Sequence, residues 1–165
     1  ISLRYFNPIG AHESGLIGDN PINCPNNLLP FICQVAIGKR KKLFVFGDDY
    51  PTSDGTGKRD YIHVDDLANA HALSINYFEK TNNSFSVFNL GTGKSFSVLE
   101  VIKAFEEATS IKIPYQIVKR RDGDVCESLA DPSKAKLELG WEAKFDLKRM
   151  CIDSWRWQSI NPKGI

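Results

Sequence analysis

The apolar positions of this 165-residue chain fall into short runs separated by turn-forming residues. Ser2 to Phe6 reads as a short strand, and a Gly-, Asn- and Pro-rich stretch to Pro25 reads as a loop. Helical spacing then predicts a helix from about Asn27 to Ile37. Gly38 serves as its terminator, and Lys39-Arg40-Lys41-Lys42 supplies cations at the negative end of the helix dipole. Leu43–Phe46 reads as a strand, and the alternation after Arg59 runs straight into a helix from Asp65 to Phe78, capped by Asp65. Further on come a strand at Phe85–Leu90 and an amphipathic helix at Ser97–Ala108 with Ser95 or Ser97 as cap. A strand at Tyr115–Val118 follows, then a short helix begun by Asp131-Pro132, where proline suits the first turn. The last helix carries Leu147, Met150, Cys151, Trp155 and Trp157. Strands alternating with helices, without repeat or linker, predict one α/β unit over residues 1–165 whose strands belong to a sheet only partly contained in the chain.

Composition narrows the function classes. With 42% hydrophobic and 25% charged residues, the chain has the material for a core. Twenty-one basic against twenty acidic side chains leave almost no net field, which argues against nucleic acid held by bulk electrostatics. No apolar run is long enough to span a bilayer and no charged-then-apolar leader opens the sequence. The expectation is therefore a cytoplasmic protein with no membrane partner. Cys24, Cys33, Cys126 and Cys151 are too scattered for a zinc knuckle and are expected as free thiols. His12, His63 and His71 are expected to pack and hydrogen-bond rather than ligate a metal. Asn82-Asn83-Ser84 matches a glycosylation acceptor but reads as a loop.

Gly91-Thr92-Gly93-Lys94-Ser95 looks like the end of a phosphate loop, but Phe88 stands where that motif begins with glycine. Its Gly91-x-Gly93 likewise lacks a third glycine, because Phe96 occupies the place, so neither a nucleoside triphosphatase nor a dinucleotide turn is indicated. The segment reads instead as the turn from a strand into the helix. Arg59 and Arg121 stand far apart in sequence, each near a glycine and an acid. Planar guanidinium groups neutralise a diphosphate with paired hydrogen bonds, and equally they form surface ion pairs, Arg59 with Asp60 and Arg121 with Asp122 or Asp124. Residue types alone leave both readings open.

Three segments together, Arg4-Tyr5-Phe6-Asn7-Pro8, Arg59 to Asp66 and Arg120-Arg121-Asp122-Gly123-Asp124, resemble the carboxyl-terminal half of the UDP-glucose 4-epimerases, of the extended short-chain dehydrogenase/reductase family. The resemblance covers nearly the whole chain. It implies the substrate-binding portion of an extended Rossmann fold, carrying the edge of a truncated parallel sheet, with the NAD-binding half absent. It also implies roles. Arg59 and Arg121 would hold the diphosphate of a UDP-hexose, and Asp124 the ribose hydroxyls. Phe44, Val45 and Phe46 would meet the uracil through backbone groups, although many members carry a small or polar residue in place of Phe44. Asn26, Asn27 and Leu28 would touch the nucleotide sugar. Phe6 and Asn7 would lie on the substrate side, and Tyr5 near the nicotinamide. Ser128 falls where members place either a bulky aromatic or a small side chain beside the sugar, and as a small residue it would leave room for an N-acetyl group.

The implied activity interconverts UDP-glucose and UDP-galactose, and by the small Ser128 also UDP-GlcNAc and UDP-GalNAc, through a 4-keto intermediate with tightly bound NAD. The catalytic tyrosine, its lysine partner and the assisting serine would belong to the other half, so no catalytic residue is assigned here. The intact enzyme would be a homodimer and this portion alone inactive. Sugar-nucleotide decarboxylases and dehydratases share the implied fold, but the insertion from Gly47-Asp48-Asp49-Tyr50 to Gly55-Thr56-Gly57 fits the hexose 4-epimerases best. A stand-alone UDP-binding or inactive relic module is the remaining alternative.

Overall fold

A computed structural model describes residues 1–82 and 84–164; Asn83 of the Asn82-Asn83-Ser84 loop lies outside the described residues. The elements in chain order are β1 (Ser2–Tyr5), β2 (Asn7–Ile9), α1 (Leu28–Ala36), β3 (Leu43–Phe46), β4 (Lys58–His63), α2 (Val64–Lys80), β5 (Val87–Leu90), β6 (Ser95–Ser97), α3 (Val98–Thr109), β7 (Tyr115–Val118), β8 (Glu127–Ser128) and α4 (Leu147–Ile160), with a π-type turn at Ala135–Leu139 before α4. Strand β1 pairs in parallel with β5, and β3 with β7. Strand β4 is the spine: it pairs in parallel with β2 and β8 and antiparallel with β6.

Both faces of β4 are buried, as expected of a strand between two helical layers. Tyr61 points into a core built from Leu29, Ile32, Val45, Val101, Phe105 and Met150. Its neighbour Ile62 points the opposite way, into a second core with Leu67, Ala70, Phe88, Leu90 and Trp141. The two-residue period of a strand thus feeds one layer with α1, α3 and α4 and another with α2 and the π-type turn.

Several expected boundaries shift for identifiable reasons. The chain after Tyr5 is not loop throughout, since Asn7–Ile9 forms β2 against Tyr61–His63. Helix α2 follows β4 without a connecting residue, so its cap is the last strand residue, His63, and not Asp65. The His63 Nδ1 accepts from the Asp65 amide at 3.0 Å, which leaves the proton on Nε2 to reach Asp153 at 3.3 Å. Helix α1 has no basic residue in its last turn. Gly38, at φ +80°, ends the run before the Lys39–Lys42 cations begin. Helix α3 carries a full capping box, Ser97 with Glu100, so Ser97 rather than Ser95 is the cap. All four cysteines are free thiols.

Candidate functional site

A cavity lies where β3 leaves one edge uncovered. Leu43 donates to the Pro114 carbonyl at 2.9 Å and Gly47 to that of Val118 at 2.8 Å. In a parallel ladder alternate residues face opposite edges, so the amides and carbonyls of Phe44 and Phe46 turn away from β7. Among the described residues no strand pairs with that edge. The cavity alongside it is about 480 Å³ and is lined by Phe44, Val45 and Phe46, by Asn26, Asn27 and Leu28 at the start of α1, and by Asn7 of β2. Asn27 occupies the N-cap position of α1, but its side chain makes no capping bond, which frees the amide for the cavity.

Arg59, Arg121 and Asp124 close the far end. Arg59 is fixed by Nη1 donations to the carbonyls of Lys58 at 2.8 Å and Val125 at 2.9 Å, and its Nη2 lies 3.5 Å from Asp124 Oδ1. The Arg121 Nε donates to the other oxygen, Oδ2, at 2.9 Å, while its guanidinium stacks 4.8 Å from the Phe46 ring centre. Two arginines separated by 61 intervening residues in the numbering therefore meet on one carboxylate.

Asp60 is not the partner of Arg59. Fully buried, it accepts from the Thr92 amide at 2.8 Å, the Thr92 hydroxyl at 2.7 Å, the Gly93 amide at 2.9 Å and the Ala130 amide at 3.3 Å. The turn that looks like a phosphate loop is thus filled by the protein's own carboxylate. Gly91 is required beside it, because a Cβ there would lie 2.4 Å from the Ala130 methyl and 2.7 Å from Asp60 Oδ2. The amides of the turn are consumed by Asp60 and are not available to a dinucleotide pyrophosphate, so the described residues do not by themselves fit NAD.

Tyr5, Phe6 and Ser128 are not brought into the cavity lining. The Tyr5 hydroxyl lies 2.9 Å from His71 Nε2. Because His71 Nδ1 faces the Leu67 carbonyl at 2.8 Å, Nδ1 carries the proton and Tyr5 donates to Nε2. Ser128 lies on β8 opposite Arg59. Tyr115 and Lys119 stand at Tyr-x-x-x-Lys spacing, but Tyr115 opens strand β7. Four residues along a strand separate the two by about 13 Å, where a helix would bring them together.

Among the lining residues that sequence reading did not name are Arg40, Tyr50 and Tyr61. Arg40 was hidden in a basic run that looks solvated. Tyr50 lies in the insertion and packs under the Arg120 guanidinium at 3.9 Å. Tyr61 lies within the Arg59–Asp66 motif, but its alternation signalled core rather than cavity; burial pushes its phenol up to about 12, against the pull of the nearby Arg59 charge.

An α/β core with parallel strand pairs and a ligand-sized cavity at an uncovered strand edge, closed by paired cations, defines an α/β protein with a site suited to an anionic ligand. The chain belongs to the family described as GDP-mannose 4,6 dehydratase, whose profile matches residues 1–154. Among curated relatives it is 57% identical over 164 residues to the UDP-glucose 4-epimerase of Bacillus subtilis, matching 98% of this chain and 48% of that protein. It is 56% identical over 165 residues to the mouse UDP-glucose 4-epimerase, matching 47% of that protein. The crystal structure of the Bifidobacterium longum UDP-glucose 4-epimerase with NAD+ and UDP superposes with a TM-score of 0.95 at 52% identity, over 99% of this chain and 48% of that one. The Stenotrophomonas maltophilia enzyme with NAD and formylated UDP-arabinopyranose gives 0.93 at 55% identity, over 96% and 47%. The chain thus spans about half the length of the relatives it matches.

Proposed function

We propose that this chain is the nucleotide-sugar-binding portion of an NAD-dependent UDP-glucose 4-epimerase of galactose metabolism. The carrying observation is the cavity in which the free edge of β3 faces Arg59 and Arg121 across Asp124. The free amides and carbonyls of Phe44 and Phe46 suit the alternating donors and acceptors of a uracil. The paired guanidiniums suit a diphosphate, and Asp124 suits a vicinal diol. Asn7, Asn26, Asn27 and Leu28 form the remaining wall around the nucleotide sugar, while Tyr5, Phe6 and Ser128, outside the lining, are assigned to the sugar and nicotinamide by the family resemblance. Residues 1–165 act as a single substrate-binding unit, and the rest of the enzyme supplies the NAD cradle and the catalytic groups.

This division of labour has a physical logic. Epimerisation at C4 needs the hexose to turn over between two hydride transfers while the nucleotide stays fixed, so the contacts proposed here anchor the substrate rather than stabilise the transition state. The intact protein is proposed to be a cytoplasmic homodimer; among the described residues no helix is long and apolar enough to cross a membrane.

The test is a UDP-glucose to UDP-galactose conversion assay on the intact native polypeptide carrying this sequence. We expect conversion with NAD retained by the protein, and loss of most kcat/KM in Arg59→Ala and Arg121→Ala. UDP binding without conversion would instead identify a binding module, and absence of UDP binding would refute the reading.

A further inference from the structure

Arg40 is held unlike the other two cavity arginines. Its amide donates to the Gln34 carbonyl at 3.1 Å, its Nε donates to Gln34 Oε1 at 2.6 Å, and its guanidinium lies 4.7 Å from the centre of the Phe31 ring. Gln34 is only 4% exposed, so the anchor is itself fixed. Among the described residues no carboxylate forms an ion pair with Arg40. With Nε engaged, the donors on its two terminal nitrogens have no acceptor among the described residues. A cation oriented in advance, lining a cavity and lacking an acceptor, is built to meet one on a ligand.

Its place along the cavity says which part of a ligand that is. Arg121 stacks on Phe46, at the carboxyl end of β3, and Arg40 precedes Leu43, at the amino end. With about 3.3 Å per residue, the strand separates the two ends by about 10 Å, comparable to the reach from a base to the diphosphate of a nucleoside diphosphate. Between them lie the free backbone groups of Phe44 and Phe46. A strand edge offers both donors and acceptors, so by itself it tolerates more than one pyrimidine. A guanidinium offers donors only. It favours a base with a carbonyl oxygen at position 4 and disfavours one with an amino group there.

Building on the nucleotide reading above, we propose that Arg40 donates to the 4-carbonyl oxygen of a bound uracil and so selects uridine over cytidine nucleotides. Lys42 does not share the role, since its Nζ is tied to Gln116 at 2.7 Å.

The experiment is calorimetric titration of the intact polypeptide with UDP and with CDP, in the wild type, Arg40→Ala and Arg40→Gln. Wild type is expected to prefer UDP. Arg40→Ala should weaken UDP about ten- to a hundredfold, the usual worth of a hydrogen bond from a charged donor, and leave CDP nearly unchanged. Arg40→Gln keeps a side chain of polar reach but can accept as well as donate, so it too should lose the preference for UDP; it carries the test if Arg40→Ala does not fold. Equal weakening of both nucleotides, as a merely structural role through Gln34 and Phe31 would produce, overturns the proposal, as does an unchanged UDP-to-CDP ratio. Failure of the wild type to bind UDP would overturn the nucleotide reading itself, a separate result.

Discussion

Asp124 is the residue on which the site turns, because each of its oxygens holds a different arginine, Arg59 at 3.5 Å and Arg121 at 2.9 Å. The three side chains act as a unit, so the loss of UDP affinity in the Arg59→Ala, Arg121→Ala double variant should be smaller than the sum of the single losses; titration of all three variants checks this. Ser128 is proposed to set sugar size. In the intact enzyme Ser128→Tyr should suppress conversion of UDP-GlcNAc while sparing UDP-glucose, and equal loss on both substrates would remove that role. Three buried groups make alkaline pH the weak side of this fold. Burial pushes the Cys151 thiol from 9.0 up to about 12 and the Tyr61 phenol from 10.0 up to about 12, and the Cys33 thiol moves the same way. A raised folded pKa stabilises the protein below the unfolded value and ceases to do so as pH climbs toward the folded one. Melting temperature should therefore fall between about pH 9 and 12, and Cys151→Ala should flatten that fall.

At the scale of elements, the carboxylates that look like surface charge in sequence turn out to fasten one element to another. Asp54, in the insertion before β4, accepts from the Ser97 hydroxyl that also caps α3. Burial pushes the Asp54 carboxyl up, but hydrogen bonds from Ser97 and Thr56 outweigh it and hold the group below its ordinary value. Ser97→Ala should then cost about 2 kcal/mol, more than a simple cap. Adding Asp54→Ala should cost less than it does alone, a non-additivity that urea titration of the four proteins measures. Asp60→Ala strands the Thr92, Gly93 and Ala130 amides and should cost about 2–4 kcal/mol by the same measurement. Periodicity made most helices and the strands at Leu43–Phe46 and Tyr115–Val118 legible, since one-sided burial writes itself into spacing. It did not reveal β2 or β6, three residues each, because strands that short carry no period and exist through their partners. The His63 cap was likewise unreadable, depending as it does on β4 entering α2 directly.

At the scale of the molecule, the segments that carried the family resemblance converge: Asn7, Arg59, Arg121 and Asp124, distributed along most of the chain, line one cavity. The family resemblance named those residues in the sequence but did not point to Arg40, whose proposed role depends on the chain reversing after Gly38 to lay it over Phe31 and Gln34. Nor was the partnership of Asp60 legible, since it joins positions more than 30 residues apart. If the proposed division between two halves is right, mass spectrometry of the native protein in its source cells should find the peptide Ser53 to Lys58 in a polypeptide of about twice this chain's mass, with upstream peptides bearing a Gly-rich turn and Tyr-x-x-x-Lys. A native mass of 18.5 kDa would count against it.

The meeting of Arg59 and Arg121 on Asp124 makes ligand entry an exchange rather than an arrival. The Arg59–Arg121 end of the pocket does not present bare positive charge; both of its cations are already engaged by a tethered anion that a visitor has to displace. A lone phosphate has too little to offer for that displacement, whereas a diphosphate engages both arginines at once and, in a nucleotide, the adjoining diol gives the evicted carboxylate a new partner. On the nucleotide reading proposed above, a preference for a whole nucleotide over small anions follows from the Arg59–Asp124–Arg121 contact, and Asp124→Asn should trade it away by binding inorganic phosphate and pyrophosphate more tightly than the wild type does.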